Sequence, residues 1–181
     1  MTISETTQTS VEDCSPDPAV MRRVLGHFCT GVAVVAGYGG EGSLGFTCQS
    51  VTSVSLDPPY ISFCPSNGSS SWPRIRETGS LCVNVLAADQ REVCWSFAKS
   101  GGDKFAGVAW RPGSNGAPVL DGVLASIEAD IEFEHEAGDH TIVVARVTAL
   151  RADPQREPLL FFRGDFGGFA GCLEAAGSGD A

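Results

Sequence analysis

Residues 45–55, Gly-Phe-Thr-Cys-Gln-Ser-Val-Thr-Ser-Val-Ser, decide how the rest of the chain is read. Hydroxyls stand at 47, 50, 52, 53 and 55 beside the Gln49 amide, with Val51 and Val54 among them. A half-buried strand alternates apolar and polar residues, because one face packs while the other meets water. Here polar groups occupy both faces, as expected where an edge or turn meets a polar, planar ligand. A Ser/Thr-rich surface strand would have the same composition, so the neighbouring segments must decide.

Upstream, Asp17-Pro18 is an N-cap followed by proline at the first helical position. Met21, Val24, Leu25 and Phe28 recur at helical spacing and predict one buried face. Residues 31–36 read as a β-branched strand and 38–42 as a glycine-rich turn. Downstream, Asp57-Pro58-Pro59 forms a turn, and 60–64 is a strand followed by a polar loop. A short helix over 69–78 closes at Gly79, 81–86 is a strand, and Asp89 caps a helix carrying Val93, Trp95 and Phe97. A long loop covers 101–116. Ile127, Ala129, Ile131 and Phe133 alternate with Glu128, Asp130, Glu132 and Glu134, which predicts an antiparallel strand with one wet face. A hairpin at 136–139 leads into a strand over 140–150, and 158–162 supplies the last one. Many strands and few helices imply a mainly β, antiparallel barrel. The expected organisation is a disordered tail over 1–16, one domain over 17–170, and a flexible tail over 171–181.

The chain of 181 residues carries a net charge of −10 and no cluster of Lys and Arg. Nucleic acid and anionic membrane surfaces need a basic footprint, so neither is an expected partner. No apolar run is long enough for a membrane span, and no basic-then-apolar leader is evident, which makes a cytoplasmic location the expectation. The seven cysteines are odd in number and form no CxxC pair. Cys29, Cys64, Cys82 and Cys94 lie in apolar runs and read as reduced, buried thiols.

Several motifs fail on their surroundings. Residues 37–42 spell G-x-G-x-x-G, but a dinucleotide fold needs a helix directly after the glycines, to aim its N-terminus at the pyrophosphate. The segment after Gly42 is β-branched and ends in Pro58-Pro59, so the glycines read as a hairpin turn. Gly102-Asp-Lys-Phe105 lacks P-loop spacing, and no GxSxG elbow is present. His135 and His140 have no third ligand at a suitable spacing, so no metal site is predicted. His27 reads as a packing residue. His140 is the candidate catalytic residue, because it opens a strand after a tight turn, where a side chain can enter a pocket. Lys104 and Arg163 sit in glycine-bounded loops near Phe105, Phe162 and Phe166, a placement suited to holding phosphate against a ring.

Taken together, Thr30-Gly-Val-Ala-Val-Val35, Gly45 to Pro59, Asn84 to Gln90, Gly102-Asp-Lys-Phe105, Gly138-Asp-His-Thr141 and Pro158 to Gly164 resemble the flavin reductase-like family, in order and spacing. More narrowly, the chain resembles the reductase component of two-component flavin-dependent monooxygenases. That resemblance implies a Greek-key split β-barrel, a homodimer, and an NAD(P)H-dependent reductase that passes hydride to FAD or FMN for a separate monooxygenase. It implies that Thr47, Gln49, Ser50, Val51 and Thr52 line the flavin ring and ribityl chain. Ser66, Ser69, Ser70 and Ser71 would receive the phosphate with Lys104, and Phe105 would pack alongside. His140 would border the nicotinamide, and Arg163 would help hold a cofactor phosphate. The family usually has Ala-Asn where this chain has Cys48-Gln49, and a tyrosine within the pair that is Phe161-Phe162 here. The open Gly/Ser loop at 66–71 favours FAD over FMN, and the absence of an Arg cluster favours NADH over NADPH. Rival readings are a non-catalytic flavin-binding protein and a flavin-retaining oxidoreductase on the same barrel.

Overall fold

A computed structural model describes residues 16–40 and 42–169. The tails expected over 1–16 and 171–181, with Cys14 and Cys172, lie outside these residues apart from Pro16. The elements run α1 (Pro18–Leu25), β1 (Thr30–Gly31), β2 (Ala33–Gly39), β3 (Gly42–Cys48), β4 (Thr52–Leu56), β5 (Pro59–Phe63), α2 (Trp72–Arg76) and β6 (Ser80–Val85). They continue through α3 (Arg91–Ala98), β7 (Trp110–Pro112), β8 (Pro118–Leu120), β9 (Ala125–Ala137), β10 (His140–Ala152), β11 (Leu160–Phe162) and β12 (Asp165–Gly167). The protein is mainly β, as its patterning predicts.

Seven strands form one antiparallel sheet in the order β3-β2-β6-β9-β10-β5-β4. Its two edges, β3 and β4, are consecutive in sequence and joined by residues 49–51 alone. A flat seven-stranded sheet spans about 29 Å from edge to edge at ~4.8 Å per strand, whereas three linking residues reach at most about 14 Å. The sheet therefore curls until its edges approach. Ser50 ties this link to the end of β5, with Cys64 N–H donating to Ser50 Oγ at 2.8 Å.

Val35, Phe46, Ile61, Phe63, Leu81, Val83, Ala129 and Val143 fill the inside of the curl, which α2 closes with Trp72 and Ile75. Trp72 stands edge-on to Phe63 with ring centroids 5.4 Å apart. A second cluster lies outside β2, where Val32, Val34 and Ala36 meet Cys94 and Phe97 of α3, Leu120 of β8 and Leu159. Strand β2 is thus buried on both faces, which is why its sequence shows an apolar run rather than alternation. Asn84, fully buried on β6, accepts from Leu120 N–H at 2.8 Å and donates to Pro118 O at 3.1 Å, pinning β8 in place.

The structure corrects several expectations. The α1 face carries no buried residue, and Met21, Val24, Leu25 and Phe28 are all exposed. The α3 helix is preceded by Gln90, not capped by Asp89. Gln90 instead ties two segments together, accepting from Ala87 N–H and donating to Asp121 O, while Asp89 faces Arg156. Glu128, expected on the wet face of β9, is 5% exposed. Burial alone would raise its carboxyl, but donors from Ser114 Oγ and Asn115 N–H outweigh this and hold it below the ordinary range. The loop expected over 101–116 contains β7, and β8 and β12 are further strands that periodicity did not reveal. Cys29 and His27 are exposed and Cys64 is half-buried; Cys82 is buried, which pushes its thiol up to about 12.

Candidate flavin site at the seam of the sheet

The glycines at 37–42 form the β2–β3 hairpin, whose ladder runs unbroken from Ala33↔Cys48 to Gly39↔Gly42. The ladder stops at Cys48, where the chain crosses the seam, and residues 49–51 belong to no strand. Backbone donors and acceptors there are not consumed by a sheet, which leaves them open to side chains, water or a ligand. A cavity of about 1030 Å³ opens at this point.

Of the residues predicted from sequence, Thr47, Gln49, Ser50, Ser66, Ser69, Ser70, Lys104 and His140 all line this cavity. They come from four separate parts of the chain. Val51, Thr52, Ser71, Phe105 and Arg163 do not line it. Val51 packs against the inner core, and Thr52 starts β4 opposite Ser62. Phe105 turns inward, its ring 4.8 Å from Phe97 and 5.9 Å from Trp110. Arg163 occupies the β11–β12 turn at φ 52, donates its N–H to Gly26 O at 2.8 Å, and lies over Phe162.

Gly45 organises one wall. A Cβ there would stand 2.6 Å from Phe97 Cε1, so only glycine lets α3 lie this close to β3. The proximity lets Thr47 Oγ1 donate to Cys94 O at 2.9 Å. It also builds an acceptor nest for Lys104, whose ammonium donates to Gly45 O, Ser71 Oγ and Phe97 O at 3.2–3.3 Å. All three acceptors are neutral. Burial pushes the Lys104 ammonium below its usual range, and among the described residues no carboxylate ion-pairs with it. An anion at the cavity floor would supply the missing counter-charge.

The opposite wall is a loop clamped to a hairpin. Asn67 N–H donates to Asp139 O at 2.9 Å, Asn67 Nδ2 donates to Gly138 O at 3.1 Å, and Thr141 Oγ1 donates to Asn67 Oδ1 at 3.0 Å. Thr141 N–H donates to Pro65 O, and Ser66 bridges His140 directly. The serine loop and the β9–β10 hairpin therefore move as one piece. His140 Nδ1 lies 2.8 Å from Asp139 Oδ1. The hydrogen bond from His140 holds the Asp139 carboxyl below its usual range, so Asp139 accepts and Nδ1 carries the proton.

Hydroxyls differ in how free they are. Thr47 has given its proton to Cys94 O, and Ser50 is occupied by Cys64 N–H and Cys48 Sγ. Ser66 and Ser69 only accept, from Gly68 and Trp72 N–H, which leaves their hydroxyl protons available. Gln49 is exposed in the cavity with no partner among the described residues. Its amide is the freest donor and acceptor on the seam. The seam and the serine loop thus give a hydroxyl-rich part of a lining that also holds Met21, Leu25, Phe46 and Phe97, and a planar ring with carbonyls plus a phosphate-bearing chain fits it. Sequence reasoning missed Asp139, although it adjoins His140, and it read Met21 and Leu25 of α1, which close one side of the mouth, as a core-facing stripe.

Comparison with known proteins agrees with this geometry. The family model described as flavin reductase like domain matches residues 25–170. The reductase subunit HsaB of a flavin-dependent monooxygenase from Rhodococcus jostii is 43% identical over 152 residues, 84% of this chain and 78% of that protein. The FMN reductase (NADH) SmoA of Agrobacterium fabrum is 40% identical over 82% of this chain and 84% of its own length. Among solved structures, the NADH:FAD oxidoreductase SgcE6 of Streptomyces globisporus, in complex with NAD and FAD fragments, superposes with a TM-score of 0.84 at 38% identity. That match covers 91% of this chain and 99% of the other. With the strand order, the seam cavity and these matches in agreement, the chain belongs to the flavin reductase like domain family.

Proposed function

We propose that the protein is an NAD(P)H-dependent flavin reductase that takes hydride from NADH, reduces FAD or FMN, and supplies the free reduced flavin to a separate monooxygenase. The observation that carries this reading is the seam cavity, where a partly buried cation, free hydroxyls and an unpaired amide converge. The cofactors supply the redox chemistry, with hydride passing from reduced nicotinamide to the flavin ring. The chain's own residues bind and orient. Gln49 and the strand-free backbone of 49–51 meet the ring's polar edge, with Thr47 and Ser50 shaping that edge and Val51 and Thr52 supporting it from behind. Ser66, Ser69 and Ser70 offer hydroxyls to a phosphate, and Lys104, held by Ser71 and screened by Phe105, offers charge. His140, oriented through Asp139, borders the nicotinamide. Arg163 acts at a distance by anchoring α1 through Gly26.

The purified protein should oxidise NADH only when FAD or FMN is supplied. An oxidation rate indifferent to added flavin overturns the reading. Tight flavin binding without NADH turnover would identify a non-catalytic carrier, and a preparation that stays yellow through dialysis would identify a flavin-retaining oxidoreductase.

The curled sheet, with β3 and β4 meeting across 49–51, supports a Greek-key split barrel. Exposed Leu56 on the edge strand β4, Phe133 on β9 and Leu150 on β10 support a homodimer. Light scattering should then give twice the 18.9 kDa of one chain. The buried thiols Cys48, Cys82 and Cys94 and the use of NADH support a cytoplasmic location.

A further inference from the structure

Two cysteines line the seam cavity, Cys48 at the last position of β3 and Cys64 just past the end of β5. One hydroxyl touches both. Ser50 Oγ lies 3.2 Å from Cys48 Sγ and accepts from Cys64 N–H at 2.8 Å. Burial pushes the Cys48 thiol up, Ser50 and the Cys64 backbone pull it back, and the Cys64 thiol adds a smaller push. The two thiols are therefore near enough to act on each other, across the gap that residues 49–51 bridge.

Their settings differ. Cys48 is 7% exposed, whereas Cys64 is half-buried and belongs to no strand. Oxidants reach a thiol according to its exposure and thiolate character. Cys64 is thus the first of the pair to be met from the cavity, with Cys48 behind it. Among the described residues, Cys29, Cys82 and Cys94 do not line this cavity. The reaction proposed for the site brings an oxidant to it. Free reduced flavin that meets dioxygen instead of a monooxygenase gives up two electrons and two protons, returning oxidised flavin and hydrogen peroxide. Peroxide formed before the flavin has diffused away arises beside Cys64.

We propose that Cys48 and Cys64 form a redox-sensing thiol pair, which peroxide closes into a disulfide that switches flavin reduction off when reduced flavin is not taken up. The inference rests on the flavin reductase reading and adds a regulatory site to it. The Cys64 sulfur attacks peroxide, the O–O bond breaks, and one water leaves, giving a sulfenic acid. The Cys48 sulfur then attacks the Cys64 sulfur. The S–S bond forms, the S–O bond breaks, and the Cys48 proton leaves with the hydroxyl as a second water. Two thiols thus lose two electrons to one peroxide. The new bond draws Cys48 Sγ off Ser50 Oγ and ties to Cys64 the residue directly before Gln49. The amide and the hydroxyl that meet the flavin ring are displaced together, and thiol exchange with a reductant restores them.

The test exposes the reduced wild-type protein to hydrogen peroxide, removes the excess with catalase, and maps its peptides without reductant. A peptide pair joining Cys48 to Cys64, lighter by two hydrogen atoms, should appear as flavin-dependent NADH oxidation falls by about tenfold or more. Dithiothreitol should reverse both changes. The same crosslink should build up during aerobic turnover with NADH and FAD, and added catalase should suppress it. Cys64→Ala, compared with its own untreated rate, should keep most of its activity after peroxide. Cys48→Ala should stop at a Cys64 sulfenic acid that dimedone labels. Inactivation without the Cys48–Cys64 crosslink, a crosslink that leaves the rate intact, or turnover that never builds it overturns the inference. So does equal inactivation of Cys64→Ala, and the wild-type map decides alone if that variant does not fold. The map needs no activity, so a protein that crosslinks yet never oxidises NADH with any flavin would sink the reductase reading and leave the thiol pair standing.

Discussion

Strand β3 has two ends, and each borders a large hollow. At the Gly42 end, a cavity of about 920 Å³ is lined by Tyr38, Gly39, Gly40, Leu44, Arg74, Glu77 and Thr78. At the Cys48 end lies the seam cavity of about 1030 Å³. The glycine end spells a nucleotide-binding motif, whereas the seam end resembles a polar surface strand. Their chemistry is the reverse of that impression. The hairpin ladder is unbroken up to Gly39↔Gly42, and among the described residues the cavity beside it is lined by one cation, Arg74, and one carboxylate, Glu77. At the seam the ladder stops, the Gln49 amide stands unpaired among the described residues, and the half-buried Lys104 ammonium has only neutral partners. A ligand site needs unsatisfied groups and unbalanced charge, and here both come from where the chain passes from one edge of the sheet to the other.

The comparison can be broken most directly by two substitutions in one assay. His140→Ala should slow flavin reduction by about a hundredfold, the scale of a positioned imidazole, with a smaller change in flavin affinity. Gly39→Ala, whose Cβ would meet Thr78 Cγ2 at an ordinary 3.5 Å, should leave the rate within about twofold. If Gly39→Ala were the more damaging, the glycine turn would be the cofactor site after all.

Gly45→Ala probes the wall between the two ends. The Cβ would overlap the Phe97 ring, so thermal unfolding should show a loss of about 2 kcal/mol, seen as a Tm lower by roughly 4–8 °C. Ser50→Ala and Gln49→Ala sharpen the contrast within the seam. Losing the Ser50 tie should destabilise the fold by about 1 kcal/mol, because Cys64 N–H loses its acceptor. Losing the Gln49 amide should leave Tm unchanged and weaken flavin binding by about fivefold. Equal Tm losses in both variants would mean that Gln49 too is structural.

The smallest effect is one of pH. Burial lowers the Lys104 ammonium from its usual 10.5, so the unfolded chain holds that proton more tightly than the folded one. Stability should therefore rise slightly as pH climbs through the folded value toward 10.5, while attraction for the flavin phosphate fades over the same interval. Parallel melting and binding titrations in alkaline buffer should move in opposite directions. Parallel movement of both would remove Lys104 from the phosphate site.

Much of this was legible in the residues. The alternation over 127–134, the Asp57-Pro58-Pro59 turn, the short helix expected within 69–78 and the helix expected after Asp89 are local signals, and the elements they predict are present, the second helix preceded by Gln90. The order of the motifs was enough to recognise the family. Eight of the predicted site residues meet in one cavity because packing brings four separate stretches of the chain together, with the serine loop and the His140 hairpin bonded to each other. Glu128 read as solvated because alternation cannot show that the 113–116 turn folds over it. Phe105 read as a cofactor contact because its loop gives no sign of which way a ring turns.

Strand period, turn residues and motif order are properties of the chain alone, and they were enough for the fold class, the family and the residue types that carry the chemistry. Which of those residues are free to act was settled only by packing. A hydroxyl's availability depends on what stands opposite it: Thr47 faces Cys94 O and is spent, whereas Gln49 stands at the seam unpaired. The 45–55 stretch is polar on both faces because residues 46–50 border the cavity at the seam and residues 52–55 run on as the exposed edge strand β4.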